Sequence, residues 1–474
     1  MKKLYNVKDC ENFSISKIKK IYKNNVSNSI VSLFESFSFG NELIKSAEGQ
    51  YIYTKDGKKI LDLTAGLGVL NLGHNNNNIL NNRINFQKEK KMEVYKNFLS
   101  PYIAGLSHNI SQLLPNKLNY SFFCNSGAEA IDGSIKIAYK YYNGKRKYIL
   151  HSDRSFHGKL LGSLSISNSN KQFQFPKIPN TKPFKFNDID DLKYLVKKLV
   201  KDNNESDIYA IVIEPFSASS MESCSPEFLK FAREVCDNYN IVLIFDEIYT
   251  GFYKTGKLFH FLRYNLSPDI LVLSKSLGGG KSSISGYVSK DKIALNSYDN
   301  INDALLHSTT YNGFGEECIT AITAINEMVE GNFEKKSQDL SMYLDKKLNT
   351  LKNSNKKILN IKGEGCIRGI IFNIDIPILK ISKFLPSYFL KDKLFIKKLV
   401  VVSIMEELYK KYNILTTFKD NINVTLCVEP SLVTTKDNID HFIKSLDSIL
   451  KNNIYTLVLN LIKNKIMNNY LFLK

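Results

Sequence analysis

The chain has 474 residues, of which 43% are hydrophobic and 23% charged, and its formal net charge at pH 7 is +19. This length exceeds the size at which single hydrophobic cores stop growing, so two or more lobes are expected. The basic residues are lysines scattered among Asp and Glu without a basic stripe, which favours solvated lysines over a nucleic-acid site.

The cysteines and the N-terminal residues give indications of the cellular compartment of the protein. Seven cysteines without a CxxC pair predict neither a disulfide framework nor a zinc site, and we predict no bound metal. The first residues lack the apolar segment of a secretory signal, and no run approaches the roughly 18 apolar residues of a membrane helix. We therefore predict a cytoplasmic protein with no membrane partner. A basic organellar presequence is the alternative, and Asp9 and Glu11 count against it.

The first third of the chain predicts short elements and one anion-binding turn. Residues 1 to about 45 form a polar, helix-compatible arm, and two short strands then flank Asp56-Gly57, a strong hairpin signal. Residues 120–130 combine a strand, a Ser-Gly turn and the start of an amphipathic helix. Free N–H groups at such a start suit a phosphate. An ordinary N-cap by Asn125 or Ser126 is the alternative.

Strand and helix signals alternate through the middle of the chain. A strand at 148–150 precedes Phe156, whose flat ring either stacks on a planar cofactor or belongs to the core. A buried strand at 208–213 ends at Glu214, and a helix follows at about 226–239. This alternation predicts a doubly wound, mostly parallel sheet.

The stretch 241–280 contains two apolar runs of strand length that lead to Asp246 and Lys275. Open α/β sheets bind ligands at the carboxyl ends of such strands. Pyridoxal 5'-phosphate needs this pair, because a lysine amine forms a Schiff base with its aldehyde and a carboxylate keeps its pyridine nitrogen protonated. The alternative is that Asp246 caps a helix and Lys275 is one of many surface lysines.

The last part of the chain predicts a smaller α+β lobe. A polar loop at 307–313 leads into a helix at about 316–329. Short strands are predicted at 366–372, 414–418 and 424–428, with helices within 381–412 and after Ile439. We predict an N-terminal arm and part of a small domain at 1–70, a large cofactor-binding domain at 71–330, and a C-terminal small domain at 331–474.

From about residue 40 to 445 these stretches resemble the class III (ornithine, acetylornithine and 4-aminobutyrate type) aminotransferases, which are fold-type I pyridoxal-phosphate enzymes. The most specific motif is DEIYTGFYKTGKLF at 246–259, followed by SKSLGGG at 274–280. The resemblance implies an α/β fold with a mostly parallel sheet in a large domain, and a smaller α+β domain built from the N- and C-terminal segments. It also implies pyridoxal 5'-phosphate as cofactor.

The resemblance gives roles to individual residues. Lys275 carries the Schiff base and moves a proton between substrate and cofactor, while Asp246 pairs with the pyridinium nitrogen. Thr310 reaches the phosphate from a neighbouring subunit, which implies an obligate homodimer with shared sites. The other implied cofactor contacts are Ser126, Gly127, Ala128, Phe156, Glu214 and Tyr249.

Several positions depart from the family and concern the substrate. Lys159 stands where many relatives have an arginine, and it can hold a carboxylate only as a point charge. The family's glutamate-arginine gate is missing on both sides, at Ser219 and about Cys427, which avoids an unpaired charge. Tyr249 replaces a common glutamine, so its hydroxyl either hydrogen-bonds the cofactor's phenolic oxygen or that bond is absent. Arg368 is a candidate replacement cation, or it is structural.

The resemblance thus implies an aminotransferase that moves an amino group from an amine or amino acid to an oxo acid or aldehyde in a ping-pong cycle. The departures favour an ω-amine, a diamine or a carbonyl compound as one partner. An aminomutase or epimerase of the same fold is the first alternative. A non-catalytic scaffold that binds the cofactor is another, and the intact Lys275, Asp246 and Thr310 count against it.

Overall fold

A seven-stranded sheet forms the centre of the computed structural model, which describes residues 4–167, 175–201, 205–373, 393–420 and 423–467. Six of its strands run parallel to one another, and Ser285–Lys290 runs antiparallel between its two neighbours. The strands in spatial order are Leu118–Cys124, Ser285–Lys290, Ile270–Leu273, Val242–Asp246, Ile208–Ile213, Tyr148–Ser152 and Thr181–Phe184. The predicted mostly parallel sheet is confirmed, although the strands Thr181–Phe184 and Ser285–Lys290 were not predicted.

The central strands are buried because helices accompany the sheet. Every residue of Ile208–Ile213 and Val242–Asp246 is buried, as expected for strands covered on both faces. The helix Pro226–Asn238 begins at the N-cap Ser225 and carries proline in its first turn, where a missing N–H costs nothing. The helices of this part of the chain are Asn77–Lys88, Pro101–Leu113, Gly127–Tyr141, Leu161–Ser165, Ile189–Leu199, Pro226–Asn238, Asp291–Leu295 and Gly315–Glu330.

The N-terminal segment forms helices and a separate small sheet. The predicted hairpin is confirmed, since Tyr51–Thr54 pairs antiparallel with Lys59–Asp62 across Asp56-Gly57. Ile44–Glu48 and Ile414–Leu415 complete this sheet. The helices are Val7–Glu11, Ile15–Asn25, Asn28–Glu35 and, after the hairpin, the short Ala65–Gly68.

The C-terminal segment forms a four-stranded sheet with helices. The strands in spatial order are Ile358–Glu364, Ile367–Phe372, Thr425–Val428 and Thr417–Lys419. The helices are Phe333–Ser354, Lys393–Tyr412, Lys436–Lys451 and Ile454–Met467. The single strand predicted at 414–418 is instead two strands, because Ile414 and Leu415 pair with the N-terminal hairpin while Thr417 pairs with Cys427. The predicted helices within 381–412 are described only from residue 393, and the domain boundaries stay a prediction.

Neither a membrane helix nor a metal cluster occurs in the ranges described above. No helix there combines the length and the apolar character needed to cross a membrane. No group of three His, Cys, Asp or Glu residues in those ranges is placed to hold a metal ion.

Candidate active site

The carboxyl ends of two neighbouring parallel strands place Asp246 and Lys275 at one edge of the central sheet. Asp246 is the last residue of Val242–Asp246, and Lys275 follows Ile270–Leu273 by two residues. The two strands pair directly, and the Asp246 charge acts on the Lys275 amine. The structure therefore brings the two residues together, as the strand pattern predicts.

Lys275 has the environment of a reactive amine. Burial lowers the pKa of Lys275 to about 8, against an opposing influence of the Glu429 carboxylate. Its Nζ donates a hydrogen bond of 2.8 Å to the carbonyl oxygen of Leu67. Its backbone has a φ of 49°, in the left-handed region that lysine rarely adopts. An amine with this pKa holds a substantial neutral, nucleophilic fraction near neutral pH.

A buried histidine contacts the Asp246 carboxylate. Nδ1 of His157 lies 2.7 Å from Oδ2 of Asp246, and the Ile248 N–H donates to Oδ1 at 3.0 Å. Burial lowers the pKa of His157, but the hydrogen bond and negative charge of Asp246 outweigh burial and raise the pKa overall. The buried Nε2 of His157 has no hydrogen-bond partner within the described part of the chain.

Glu214 holds the loop that carries Phe156. Its carboxylate accepts the Phe156 N–H at 2.9 Å and the Ala218 N–H at 3.0 Å. Burial raises the pKa of Glu214 to about 7. The Phe156 side chain is 40% exposed, so it is not a core residue and its ring is available to a ligand.

The helix Gly127–Tyr141 begins beside this edge of the sheet. Ser126 is its N-cap, and a capping box joins Ser126 to Glu129: the Glu129 N–H donates to Oγ at 3.3 Å and the Glu129 carboxylate accepts the Ser126 N–H at 2.7 Å. The N-cap alternative is therefore correct for the Ser126 side chain. The N–H groups of Gly127 and Ala128 still point out of the first turn, where they suit an anion.

Tyr249 belongs to a buried polar network. Its hydroxyl donates to Glu429 and accepts a 2.7 Å hydrogen bond from Lys419. Burial and the charge of Glu429 raise the pKa of Tyr249, so the hydroxyl keeps its proton. The Nζ of Lys275 lies 4.6 Å from the centroid of the Tyr249 ring. The ring thus lies beside the reactive amine, while the hydroxyl is directed to Glu429 and Lys419.

The missing gate position is apolar in the folded chain. Cys427 is fully buried, its thiol contacts the Met221 sulfur at 3.5 Å, and it belongs to a cluster with Phe216 and Ile367. Arg368 does not replace the gate arginine, because its guanidinium forms two hydrogen bonds, of 2.6 and 2.7 Å, with the Asp345 carboxylate. The structural alternative for Arg368 is thus the one that the geometry supports.

The sequence model of the class-III aminotransferase family matches residues 39–450. This chain is a class-III aminotransferase. It is 32% identical over 352 residues to acetylornithine aminotransferase of Clostridium acetobutylicum, a match that covers 73% of this chain and 87% of the relative. The resemblance seen in the motifs is confirmed, and the enzyme uses pyridoxal phosphate as its family does.

Solved structures show the same fold. Ornithine aminotransferase of Toxoplasma gondii superposes with a TM-score of 0.76 at 19% identity, covering 94% of this chain and 99% of that one. Adenosylmethionine-8-amino-7-oxononanoate aminotransferase of Methanocaldococcus jannaschii gives 0.76 at 22% identity, covering 92% and 98%. The predicted fold-type I architecture is confirmed.

The residues of this aminotransferase fit the cofactor. The Asp246 carboxylate is only 5% exposed, and the unpartnered Nε2 of the neighbouring His157 shows that hydrogen-bonding capacity remains there. A Cβ added at Gly127 would come within 2.8 Å of Cδ1 of Ile248 and 3.3 Å of Ser274 Oγ, so glycine keeps this turn open and a larger residue would displace the end of the Ile248 side chain. When bound, pyridoxal phosphate supplies an aldehyde that captures amines and a ring that withdraws electrons.

The lowered pKa of Lys275 predicts a pH profile for cofactor capture. The free-amine fraction rises about tenfold per pH unit below a pKa of about 8 and levels off above it. The enzyme stripped of cofactor should therefore recapture pyridoxal phosphate at a rate that rises steeply up to about pH 8 and then flattens, as measured by rapid-mixing absorbance. Glu429→Gln should shift this midpoint to lower pH, because Glu429 raises the pKa of Lys275. A rate that still climbs at pH 10 would indicate an ordinary lysine.

Two predicted site residues, Lys159 and Thr310, are exposed. Lys159 has no hydrogen-bond or ion-pair partner among the residues whose positions are described, so its amine is free to meet a ligand. Thr310 lies in the loop that precedes Gly315–Glu330, on the surface of the chain.

Sequence reasoning missed three residues of the site, namely His157, Lys419 and Glu429. His157 follows Phe156 directly, and its place beside an aromatic residue that is predicted to contact the cofactor was an available signal. Glu429 follows the buried strand Thr425–Val428, which is the same pattern that identified Asp246. Lys419 gave no comparable signal, because one lysine among so many is not distinctive.

Proposed function

We propose that Lys275 is the amine that holds pyridoxal phosphate and transfers the proton during transamination, with Asp246 as the counter-charge of the cofactor's ring nitrogen. One observation carries this proposal: an amine with a pKa of about 8 and a buried carboxylate lie together at the carboxyl ends of adjacent strands. Among the other lysines that the structure describes, the buried Lys254 donates to Asn71 Oδ1. Pyridoxal phosphate needs a lysine for its Schiff base and a partner for its ring nitrogen, which one such pair supplies.

Lys275 can act as both base and acid. With pyridoxal phosphate and a substrate amine bound, the Nζ of Lys275 would be the group placed to accept a proton from the substrate carbon and to return it to a different atom. A pKa of about 8 lies close to neutral pH, where an amine can carry out both transfers. The Leu67 carbonyl, which accepts the Nζ hydrogen bond, provides a resting position for the free amine.

Asp246, His157 and Glu214 form the electrostatic support of the ring. The His157 contact orients Asp246, and the raised pKa of His157 supplies positive character behind the carboxylate. Glu214 fixes the backbone of Phe156, whose exposed ring we assign to the face of the cofactor. Gly127 and Ala128 supply N–H groups for the phosphate, and the positive end of their helix favours the same charge.

We further propose a homodimer in which Thr310 completes the phosphate site of a second copy. The loop around Thr310 displays large apolar side chains to solvent, with Ile301 93%, Leu305 82% and Tyr311 59% exposed. Exposed large apolar side chains of this kind are typical of protein interfaces. The exposed Thr310 lies in the same stretch of chain, which supports a shared site. All seven cysteines lie in the described part of the chain and none is paired, which supports a reducing compartment such as the cytoplasm.

For the substrates, we propose a donor amine at the end of a carbon chain and a 2-oxo acid acceptor. The gate position at Cys427 lies in a buried apolar cluster with Met221 and Ile367 and supplies no cation there, which is compatible with an uncharged carbon chain. Lys159 is our candidate for the acceptor's carboxylate. The substrate of the curated relative, acetylornithine, is one candidate donor.

A panel of amines added separately to the enzyme tests the proposed function. At least one should convert the cofactor to its amine form in the absence of acceptor, as measured by the change in visible absorbance, and a 2-oxo acid should reverse the change. Lys159→Ala should raise KM for the carboxylate-bearing partner by roughly 10-fold and leave simple amines unchanged. An unchanged KM for every partner would remove Lys159 from the site. An enzyme that isomerises one substrate without accepting an oxo acid would instead be a mutase or epimerase.

A further inference from the structure

A second amine lies beside the reactive lysine. The Nζ of Lys419 is 4.2 Å from the centroid of the Tyr249 ring, and the Nζ of Lys275 is 4.6 Å from the same centroid. Lys419 also donates to the Tyr249 hydroxyl at 2.7 Å. Both amines therefore contact one aromatic side chain, and the charge of Lys419 acts on the Lys275 amine.

Three amines of this network share the Glu429 carboxylate. The Glu429 carboxylate lies 3.4 Å from Nζ of Lys419. Burial raises the pKa of Glu429, but Lys419, the Tyr249 hydrogen bond and the amines of Lys254 and Lys275 outweigh burial and lower it. Lys254 also faces the charge of Asp62, and Lys275 also faces that of Asp246. Among the described residues, Lys419 forms an ion pair with Glu429 alone and shares that carboxylate with two other amines, so an additional anion beside Lys419 is favoured.

Only one of these three amines is open to a new ligand. Lys254 is fully buried and donates to Oδ1 of Asn71 at 3.0 Å. Lys275 is assigned to the cofactor. The Lys419 side chain is 22% exposed, and an ammonium that bonds one hydroxyl and one carboxylate keeps a third N–H.

We propose that Lys419 binds a carboxylate of the substrate and that Glu429 and Tyr249 position it. This inference rests on the proposed function of Lys275. The proposed cation thus lies on the strand next to the one that carries the family's arginine position. Thr417–Lys419 pairs with Thr425–Val428, and Cys427 on the latter strand occupies the position of the expected arginine. The donor is then an amino acid in which few carbons separate the carboxylate from the reacting amine, while Lys159 stays the candidate for the acceptor's carboxylate. Recognition is by a point charge and not by a bidentate fork.

Matched pairs of amines test this inference, each amino acid being compared with its decarboxylated twin. The pairs are L-alanine with ethylamine, 4-aminobutyrate with propylamine, and L-ornithine with 1,4-diaminobutane. The measured quantity is the second-order rate constant for loss of the cofactor's visible absorbance. Lys419→Met should lower this constant by roughly 10- to 100-fold for the preferred amino acid, the worth of a charged hydrogen bond, and by less than about threefold for its twin. Lys419→Arg should restore most of the loss.

Two further variants keep the test interpretable. Lys419→Met leaves Glu429 with one amine fewer, so the double variant with Glu429→Gln removes both charges and should show the same selective loss. Lys230→Met, at a lysine whose side chain is 72% exposed, is the neutral control. Equal losses for both members of a pair, or no loss, would overturn the inference, as would a wild type that never prefers the carboxylated member. A wild type that responds to no amine would refute the proposed function and this inference with it.

Discussion

Replacement of Lys275 by alanine should abolish transamination. The substitution removes the amine that captures the cofactor and the group that moves the proton, and general acid-base catalysis alone contributes about 10²- to 10⁴-fold. Steady-state assays should therefore show no turnover above background. The visible absorbance of covalently bound cofactor should also be absent after dialysis.

The control is an alanine substitution at Lys230, which is exposed and to which we assign no part in the active site. It should leave both absorbance and turnover unchanged. Repeated turnover by the Lys275→Ala enzyme without an added amine would show that another lysine carries the chemistry. Partial rescue by a small added amine would strengthen the assignment, because it restores only the missing group.

The Lys275→Ala variant also tests whether each active site is shared between two subunits. Thr310→Ala should weaken the proposed phosphate contact and lower activity. In a mixed dimer with Lys275→Ala, one site carries both defects and the other carries neither. Refolded mixtures should therefore regain activity, up to about half of the wild-type value per mixed dimer. A mixture that is no more active than its two components would place Thr310 in the site of its own chain.

Replacement of Asp246 by asparagine should have the second-largest effect. Asparagine preserves the shape but removes the negative charge that raises the pKa of His157 and that we assign to the ring nitrogen. The amide of asparagine has one oxygen and one NH₂ group, so it cannot accept a hydrogen bond at both positions. Its NH₂ group would face either Nδ1 of His157 or the N–H of Ile248. We expect kcat to fall by about 10²- to 10⁴-fold, the range for loss of a charge that orients catalytic groups.

The matched control is Asp246→Glu, which keeps the charge and displaces it by one methylene. Its kcat should lie between those of the wild type and of Asp246→Asn. Melting temperatures separate lost catalysis from lost folding, because Asp246→Asn also removes the counter-charge of the buried His157 and should destabilise the protein to a measurable degree. An Asp246→Asn enzyme with kcat within tenfold of wild type would exclude the proposed counter-charge role.

Much of the fold and the centre of the site follow from local patterns. The runs at 208–213 and 241–246 are continuous, apolar and short, which predicts buried parallel strands, and the structure has them at Ile208–Ile213 and Val242–Asp246. Because carboxyl ends of such strands meet, Asp246 and Lys275 could be placed together from the sequence alone. Ser285–Lys290 escaped prediction because its small and polar residues lack the usual apolar pattern, although it lies buried between two strands.

The network around Tyr249 could not be predicted, because its contacts join distant parts of the chain. Lys419 lies 170 residues from Tyr249 in sequence, and no local periodicity reports such a contact. The single strand predicted at 414–418 also missed that the chain passes from one sheet to another after Leu415. This change depends on the pairing of Ile414 and Leu415 with Leu61 and Asp62. Tertiary partners therefore decided both the path of this segment and the position of its lysine.

The left-handed backbone conformation of Lys275 lowers the stability of the protein at a position where the proposed catalysis requires lysine. A lysine at a φ of 49° carries a conformational cost of about 1–2 kcal/mol, which glycine would relieve. A Lys275→Gly protein would also lose a buried amine that burial disfavours. Thermostability screening that ignores turnover would therefore enrich inactive chains mutated at this codon, and heat tolerance alone is a misleading guide when this enzyme is engineered.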